Sequence, residues 1–219
     1  EPLRKLRDVI FSYFISHPDE ALTYQQELNF LRNASEFYHY VLPYQSIFLN
    51  QVKSIKEGIH WDEKNNKFYV EWFGHHMYLP FNSAEQCESY MWSILFEQGT
   101  GSPHNYKALL GNIDERILID CGAAEGFLAL MDIDRWDKIY LIESDKAWIE
   151  CLRLSYRGYS DKVVFINSFL GNPEVDGNTS LDNLSIFNDE DWPKTLIKMD
   201  IEGYEVPCLH YSPDRKSVV

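Results

Sequence analysis

The sequence carries little positive charge for its size. Its 219 residues include 20 Lys and Arg against 34 Asp and Glu, which gives a formal net charge of −14 at pH 7. Proteins that bind nucleic acid neutralise phosphates with clustered Lys and Arg, so this composition argues against such a surface. No apolar run approaches the ~20 residues of a membrane span, and no stretch has the layout of a secretion signal. We therefore predict that neither nucleic acid nor a membrane is a partner.

Cysteine is also scarce, and the cysteines present do not have the spacing of metal ligands. The 4 cysteines are scattered without a C-x-x-C pair, which predicts free thiols in a reducing cytoplasm. His75 and His76 are adjacent in a predicted strand, so their side chains point to opposite faces and cannot easily share an ion. We predict a cytoplasmic protein without a metal site. The cysteines are Cys87, Cys121, Cys151 and Cys208.

Apolar and aromatic residues, by contrast, are plentiful. They make up 45% and 15% of the chain, which is ample for a buried core. We divide the chain into a helical N-terminal extension (residues 1–57), a segment of hairpin, helix and loop (58–106) and an α/β core (107–219). The extension packs on the core, shapes an acceptor pocket or holds a second subunit, and its sequence leaves these alternatives open. A homo-oligomer is one of the expected possibilities.

Periodicity predicts the elements that precede the core. Apolar residues at three- and four-residue steps indicate helices, and alternating bulky residues around the polar turn Asn65-Asn66 indicate a hairpin. The predicted helices are Pro2–Ser16, Thr23–Tyr40, Ile47–Ile55 and Glu85–Gln98, and the predicted strands are the hairpin Ile59–Trp72 and His75–Leu79.

The core is organised around Ile117-Leu-Ile-Asp120-Cys-Gly122-Ala-Ala-Glu-Gly126. The unbroken apolar run in Arg116–Asp120 predicts a buried strand of a parallel sheet. Gly122 allows the chain to turn sharply out of that strand, and Gly126 opens a helix where the backbone would approach a ligand closely. A side chain at position 126 is therefore expected to exclude the ligand and to leave the fold intact.

Three further strands are predicted after this glycine turn. They are Lys138–Glu143, Val163–Ile166 and Thr195–Asp200, with a helix over Trp148–Tyr156. This alternation predicts a doubly wound, Rossmann-like α/β sheet with helices on both faces. Glu143 follows Asp120 at close to the ~20-residue step that separates the glycine turn from the ribose-binding acid in nucleotide-binding βαβ units.

Three strings in this region resemble the signature of FkbM-type methyltransferases. They are Asp120-Cys-Gly-Ala-Ala-Glu-Gly126, Ser180-Leu-Asp182 and Ile197-Lys-Met-Asp200-Ile-Glu202-Gly203-Tyr-Glu205. The resemblance runs from Glu97 to Leu209. It implies a class I, Rossmann-like enzyme that uses S-adenosyl-L-methionine to methylate a hydroxyl oxygen on a sugar or small natural product. The expected partner is then a small-molecule or glycan acceptor.

The resemblance also implies where the methyl donor binds. The glycine turn would hold its amino-acid end, Asp120 would accept from turn amides or from its ammonium, and Glu143 would bind the ribose hydroxyls. Ser168 lies after the third strand, where the adenine is usually edged. The implied cofactor-binding residues are Asp120, Gly122, Ala123, Glu125, Gly126, Glu143, Ser144, Ser168, Asp200 and Glu202.

Oxygen methylation also calls for a base, because an alcohol is a poor nucleophile at neutral pH. His104 lies on a glycine-flanked loop before the first core strand, and family members carry a similar Ser-Pro-His stretch there. Histidine has a near-neutral intrinsic pKa. We interpret His104 as the catalytic base and Asp200 as the catalytic residue that positions the acceptor hydroxyl or faces the sulfonium. Glu205 is expected to help hold the turn that follows Asp200.

The C-terminal region departs from the family pattern. After Glu205 a complete class I fold needs a fifth strand and a final hairpin, about 50 more residues by ordinary element lengths, and fewer follow here. We expect those strands to be missing, disordered or supplied by another subunit.

Two other functions fit parts of the pattern. A nicotinamide-dependent oxidoreductase would share the glycine turn, but its fingerprint wants a third glycine where Ala124 stands, and no Tyr-x-x-x-Lys pair follows at a plausible place. A non-catalytic interaction protein could retain the fold after losing the late strands. The retained acidic residues argue against that loss of chemistry.

Overall fold

The structure is a computed structural model that describes residues 2–33, 55–99, 102, 105–106, 110–111, 113–175, 177–181, 183 and 192–210. Its first elements are helices α1 (Pro2–Ser16), α2 (Pro18–Thr23) and α3 (Gln25–Asn33). The prediction of α1 is confirmed. The predicted helix over residues 23–40 is only partly confirmed, because Tyr24 separates α2 from α3 and residues 34–40 lie outside the described part. Residues 47–54 of the next predicted helix lie outside it as well.

A three-stranded antiparallel sheet follows and confirms the predicted hairpin. Asp62 holds the first turn, since its carboxylate accepts from the backbone N–H groups of Lys64 and Asn65. Asn66 takes the left-handed φ of 52° that such a turn requires. The strands are β1 (Ile59–Asp62), β2 (Lys67–Trp72) and β3 (His75–Leu79).

The two adjacent histidines of β3 face opposite sides of this sheet, as the sequence predicts. His75 Nδ1 lies 3.3 Å from the hydroxyl of Tyr159, whereas the ring of His76 stacks on Tyr69. Each ring therefore contacts an aromatic side chain, and the pair does not converge on one point.

Helix α4 (Ala84–Gln98) leads from the antiparallel sheet toward the core. It begins one residue before its predicted start, because Ser83 is its N-cap and accepts a hydrogen bond from the backbone N–H of Gln86. A serine at this position satisfies one of the unpaired N–H groups of the first turn. Gly99 ends the helix with its N–H bonded to the Leu95 carbonyl.

The core is a four-stranded parallel sheet with the order β6-β5-β4-β9. The strands are β4 (Ile117–Cys121), β5 (Lys138–Glu143), β6 (Val163–Asn167) and β9 (Thr195–Met199), and the short strands β7 (Phe169–Leu170) and β8 (Asn178–Thr179) pair separately. All four predicted core strands are present, with bounds shifted by at most one residue. Strands β4 and β5 are the two inner strands, and β9 pairs with β4.

Both faces of the parallel sheet are covered. One face packs on α4, α5 (Phe127–Met131) and α6 (Lys146–Ser155), together with the antiparallel sheet, in a single hydrophobic cluster. On the other face, Cys208 of α7 (Glu205–His210) joins Leu170 and Leu181 over residues of β4, β5 and β9. The protein is therefore an α/β fold with a parallel sheet flanked by helices. None of the described helices is long and apolar enough to cross a membrane.

Candidate functional site

A cavity of about 530 Å³ lies at the carboxyl ends of β4, β5 and β9. Open α/β sheets bind ligands at this edge, where the strand order reverses. Here the reversal falls between β4 and β9, because the chain runs outward from β4 through β5 to β6 and then returns to the other side of β4. Helix α4 closes the cavity opposite the strand tips with Tyr90, Ile94 and Glu97, and the segment after β6 contributes Ser168.

The glycine turn forms the floor of this cavity. Its conformation is left-handed at Gly122 (φ 73°) and at Ala124 (φ 43°). A Cβ on Gly122 would lie 2.0 Å from the backbone oxygen of Asp200, so the tip of β9 approaches too closely for any other residue. Gly122 is therefore required for two reasons, the predicted sharp turn after the strand and the close approach of the Asp200 backbone. Gly122, Ala123 and Ala124 all line the cavity.

Gly126 has a different role from the one predicted for it. It starts α5 with a left-handed φ of 72°, but it does not line the cavity. A Cβ there would meet Leu152 Cδ2 at 2.7 Å and the ring of Tyr156 at 2.8 Å, on the side of α6. The hydroxyl of Tyr156 also donates to the Gly126 carbonyl at 2.5 Å. A side chain at 126 would therefore force Leu152 and Tyr156 to shift, so the structure gives this glycine a role in helix packing.

We predict that Gly126→Ala lowers the free energy of unfolding by about 1–3 kcal/mol, from the left-handed φ and the shift forced on Tyr156. Urea denaturation at neutral pH measures this change. Gly158→Ala is the matched control, because a Cβ at Gly158 meets nothing within 4 Å, and it should change stability by less than about 0.5 kcal/mol. Equal stability of the two variants would contradict this account of Gly126.

Asp120 is paired with a lysine that the sequence analysis did not single out. Its carboxylate lies 3.1 Å from Lys198 Nζ, and their side chains are 2% and 15% exposed. Burial raises the pKa of Asp120, and the Lys198 ammonium opposes that rise. Burial likewise works to lower the pKa of Lys198, but the carboxylates of Asp120 and Asp200 outweigh it and raise that pKa. We take both groups as charged at neutral pH, because they neutralise each other.

Lys198 also holds the glycine turn. Its ammonium donates to the Gly122 carbonyl at 2.8 Å. The sequence suggested that the turn amides could donate to Asp120. Two of them do not, since the N–H groups of Gly122 and Ala123 both donate to the carbonyl of Ile142. The strand tips of β4, β5 and β9 are thus tied together around one buried ion pair.

Glu143 ends β5 at the edge of the cavity and is already hydrogen bonded. Its Oε2 accepts from the N–H of Ala124 at 3.0 Å, and its Oε1 accepts from the N–H of Asp145 at 2.8 Å. Ser144 beside it also lines the cavity. The Ser144 hydroxyl also donates to Oε1, at 3.4 Å. A carboxylate has about four acceptor positions, so Glu143 keeps one on Oε2 for a ligand hydroxyl, and a second on Oε1 when the Ser144 hydroxyl turns away. It links the glycine turn to the start of α6.

Glu125 is the one carboxyl of the glycine turn that points toward α4. It is 8% exposed and accepts a short hydrogen bond from the hydroxyl of Tyr90. Burial raises its pKa to about 7, against the opposing effect of the Tyr90 hydrogen bond. Tyr90 itself stays protonated, because burial and the Glu125 charge raise its pKa well above the ordinary value of a tyrosine. Both side chains line the cavity.

The acids after β9 lie at the open side of the cavity. Asp200 and Glu202 both line it, and the Asp200 side chain is 60% exposed, 3.9 Å from Lys198 Nζ. Glu205 accepts from the N–H of Ile201 and starts α7, which confirms its predicted role in holding the turn. His104 and Asp182 lie outside the described residues. Tyr106, two positions after His104 in the sequence, lines the cavity, and burial raises its pKa.

Of the predicted cofactor-binding residues, the structure brings all but Gly126 to the lining of one cavity. It adds Tyr90 and Lys198, which the sequence analysis missed. A lone lysine among Leu196, Ile197 and Met199 of a predicted core strand was the available signal, because a lysine buried in a sheet needs a partner. Within the described part of the chain, no three His, Cys, Asp or Glu side chains converge as metal ligands would. The four cysteines are buried free thiols.

Comparison with protein-family models, with curated proteins and with solved structures finds no match to this chain.

Proposed function

We propose that the protein is an S-adenosyl-L-methionine-dependent methyltransferase that methylates a hydroxyl oxygen of a sugar or small natural product. One observation carries the proposal more than any other, namely the charge of the cavity. Six of the described lining residues are carboxylic acids, and Lys198 is the sole basic one among them. The acids are Glu97, Asp120, Glu125, Glu143, Asp200 and Glu202.

This charge distinguishes the methyl donor from a nicotinamide dinucleotide. S-adenosyl-L-methionine carries a sulfonium and an ammonium, which carboxylates stabilise, and ribose hydroxyls, which they accept from. A dinucleotide carries a pyrophosphate, which requires N–H donors or basic side chains close to it. In this turn the N–H groups of Gly122, Ala123 and Ala124 are bonded to Ile142 and Glu143. The lysine is neutralised by Asp120. The cavity therefore fits a cationic ligand better than an anionic one.

The residues of the cavity would divide the binding work by position. Glu143, at the tip of β5, would accept from the ribose hydroxyls while it continues to hold Ala124. The backbone of Gly122 and Ala123 would face the amino-acid end of the donor. Ser168 would lie beside its adenine ring. Asp200, whose side chain is exposed at the open side of the cavity, would face the sulfonium or orient the acceptor hydroxyl. When bound, the donor supplies an activated methyl group, and transfer needs alignment more than covalent help from the protein.

The experiment that tests this is a comparison of two ligands by calorimetry. S-adenosylhomocysteine should bind to the wild-type chain, and NAD should bind at least about 100-fold more weakly, the ratio set by roughly 3 kcal/mol of unfavourable phosphate burial among acids. A chain that bound NAD more tightly would be assigned to the oxidoreductases instead. A chain that bound neither ligand would contradict the proposal altogether.

A further inference from the structure

Glu125 differs from the other acids of the cavity in how it is held. It lies between two left-handed residues of the glycine turn, Ala124 and Gly126, so the turn fixes its backbone. Its carboxylate accepts a hydrogen bond from the hydroxyl of Tyr90 on α4. Tyr90 in turn packs among Phe81 and Trp148, with ring centroids 5.1 and 5.2 Å away. This packing fixes the direction of the hydroxyl.

Resting on the function proposed above, we propose that Glu125, in place of the His104 expected from the sequence, is the base of the transfer reaction, and that binding of the cationic donor removes its proton. Tyr90 is the positioning residue that aims the carboxylate. In the transfer step the acceptor oxygen forms the new bond to the methyl carbon as the sulfur–carbon bond breaks. The acceptor proton passes to the Glu125 carboxylate, and the sulfonium becomes an uncharged thioether.

The protonation state of Glu125 follows the charge in the cavity through this cycle. Without donor, a nearly buried carboxyl with a pKa of about 7 is largely protonated in slightly acid solution. A sulfonium nearby favours the carboxylate, and a neighbouring opposite charge lowers a carboxyl pKa by about 1–3 units. After transfer the charge is gone, so the carboxyl again retains a proton. Glu125 is thus a base only while the methyl donor is present.

Several other titratable groups face Glu125 or line its cavity, and they act on the same protonation equilibrium. Tyr90 faces it from α4, Asp120 from β4 and Lys198 from β9. Glu97 of α4 and Glu143 of β5 line the same cavity. Among these, Tyr90 alone donates a hydrogen bond to the Glu125 carboxylate in the structure.

Proton release on ligand binding tests the proposal without any acceptor. Calorimetry at pH 6.5, in buffers of different ionisation enthalpy, counts the protons released, and at that pH the amines of both ligands stay charged. S-adenosyl-L-methionine should release about 0.5–0.7 proton from the wild-type chain, from a pKa of about 7 lowered by one to two units. S-adenosylhomocysteine, which lacks the sulfonium charge, should release less than half as much.

Two variants assign the proton. Glu125→Gln keeps the shape and an acceptor for Tyr90, so it should still bind S-adenosyl-L-methionine but lose the difference between the two ligands. Glu97→Gln removes another carboxyl of the same cavity and should keep that difference. A Glu125→Gln chain that released protons like the wild type would overturn the proposal. Absence of binding by both ligands would overturn the proposed function, and this inference with it.

Tyr90→Phe separates positioning from mere packing. The Tyr90 hydrogen bond lowers the pKa of Glu125, so its removal should move the pH profile of proton release upward by about 0.5–1 unit. A structural role alone would change stability and leave that profile in place. An unmoved profile in a folded Tyr90→Phe chain would overturn the role given to Tyr90.

Discussion

Lys198→Ala is expected to lower the free energy of unfolding by about 3–5 kcal/mol at pH 7, the largest effect on stability that we predict. The substitution leaves the Asp120 carboxylate, which is 2% exposed, without the ammonium 3.1 Å away. A buried charge without its partner destabilises the fold far more than a site from which both charges have been removed. The variant also loses the hydrogen bond that Lys198 donates to the Gly122 carbonyl. Urea denaturation of both chains measures the difference.

The loss should depend on pH in a direction that identifies its cause. Without Lys198 the folded-state pKa of Asp120 rises further above its unfolded value of about 3.9. A raised carboxyl pKa leaves stability intact below the unfolded pKa and lowers it as the pH rises toward the folded one. The deficit relative to wild type should therefore be small near pH 4 and grow toward pH 7. A deficit that did not change with pH would point to lost packing instead.

Two further chains complete this test. Lys194→Ala removes an exposed lysine just before β9 and should cost less than about 0.5 kcal/mol. The double variant Asp120→Asn, Lys198→Met removes both charges and should recover most of the loss, because a neutral pair needs no counter-charge. A Lys198→Ala chain that lost less than about 1 kcal/mol would contradict the buried ion pair.

The strands and helices of the core could be predicted from the sequence because their signals are local. An unbroken apolar run indicates a buried parallel strand, and Ile117–Cys121 and Lys138–Glu143 contain such runs. The shift of β4 by one residue, to include Cys121, reflects pairing with both neighbours beyond Asp120. The short strands β7 and β8 were missed, since a strand of two residues is too short to show a periodic pattern.

The contacts of the site depend on register and on long-range packing, which local patterns do not contain. Asp120 meets Lys198 because the two are register partners in the pairing of β4 with β9. The acid was predicted to bind a ligand, but its charge is used first by this lysine. Tyr90 reaches Glu125 only because α4 packs over the glycine turn. Gly126 shows the same limit, since a glycine needed for packing and one needed for a ligand are identical in sequence.

Glu143→Ala is expected to weaken S-adenosylhomocysteine binding by about 30- to 1000-fold. The proposed function gives Glu143 two charge-assisted hydrogen bonds to the ribose, and their loss costs on the order of 2–4 kcal/mol. Glu143→Gln retains an uncharged acceptor and should fall between the alanine variant and the wild type. Calorimetric titration of the three chains provides the affinities.

Glu143 also holds the N–H groups of Ala124 and Asp145, so weaker binding could follow from a loosened turn alone. Asp145→Ala separates the two causes. Its carboxylate caps α6 by accepting from the N–H of Ala147 at 2.7 Å, and its loss should cost about 1 kcal/mol of stability in the same loop. Because Asp145 does not line the cavity, affinity in that variant should stay within about threefold of wild type. If Asp145→Ala weakened binding as much as Glu143→Ala, the proposed contact of Glu143 with the ribose would be rejected. Both acids would then have a purely structural role.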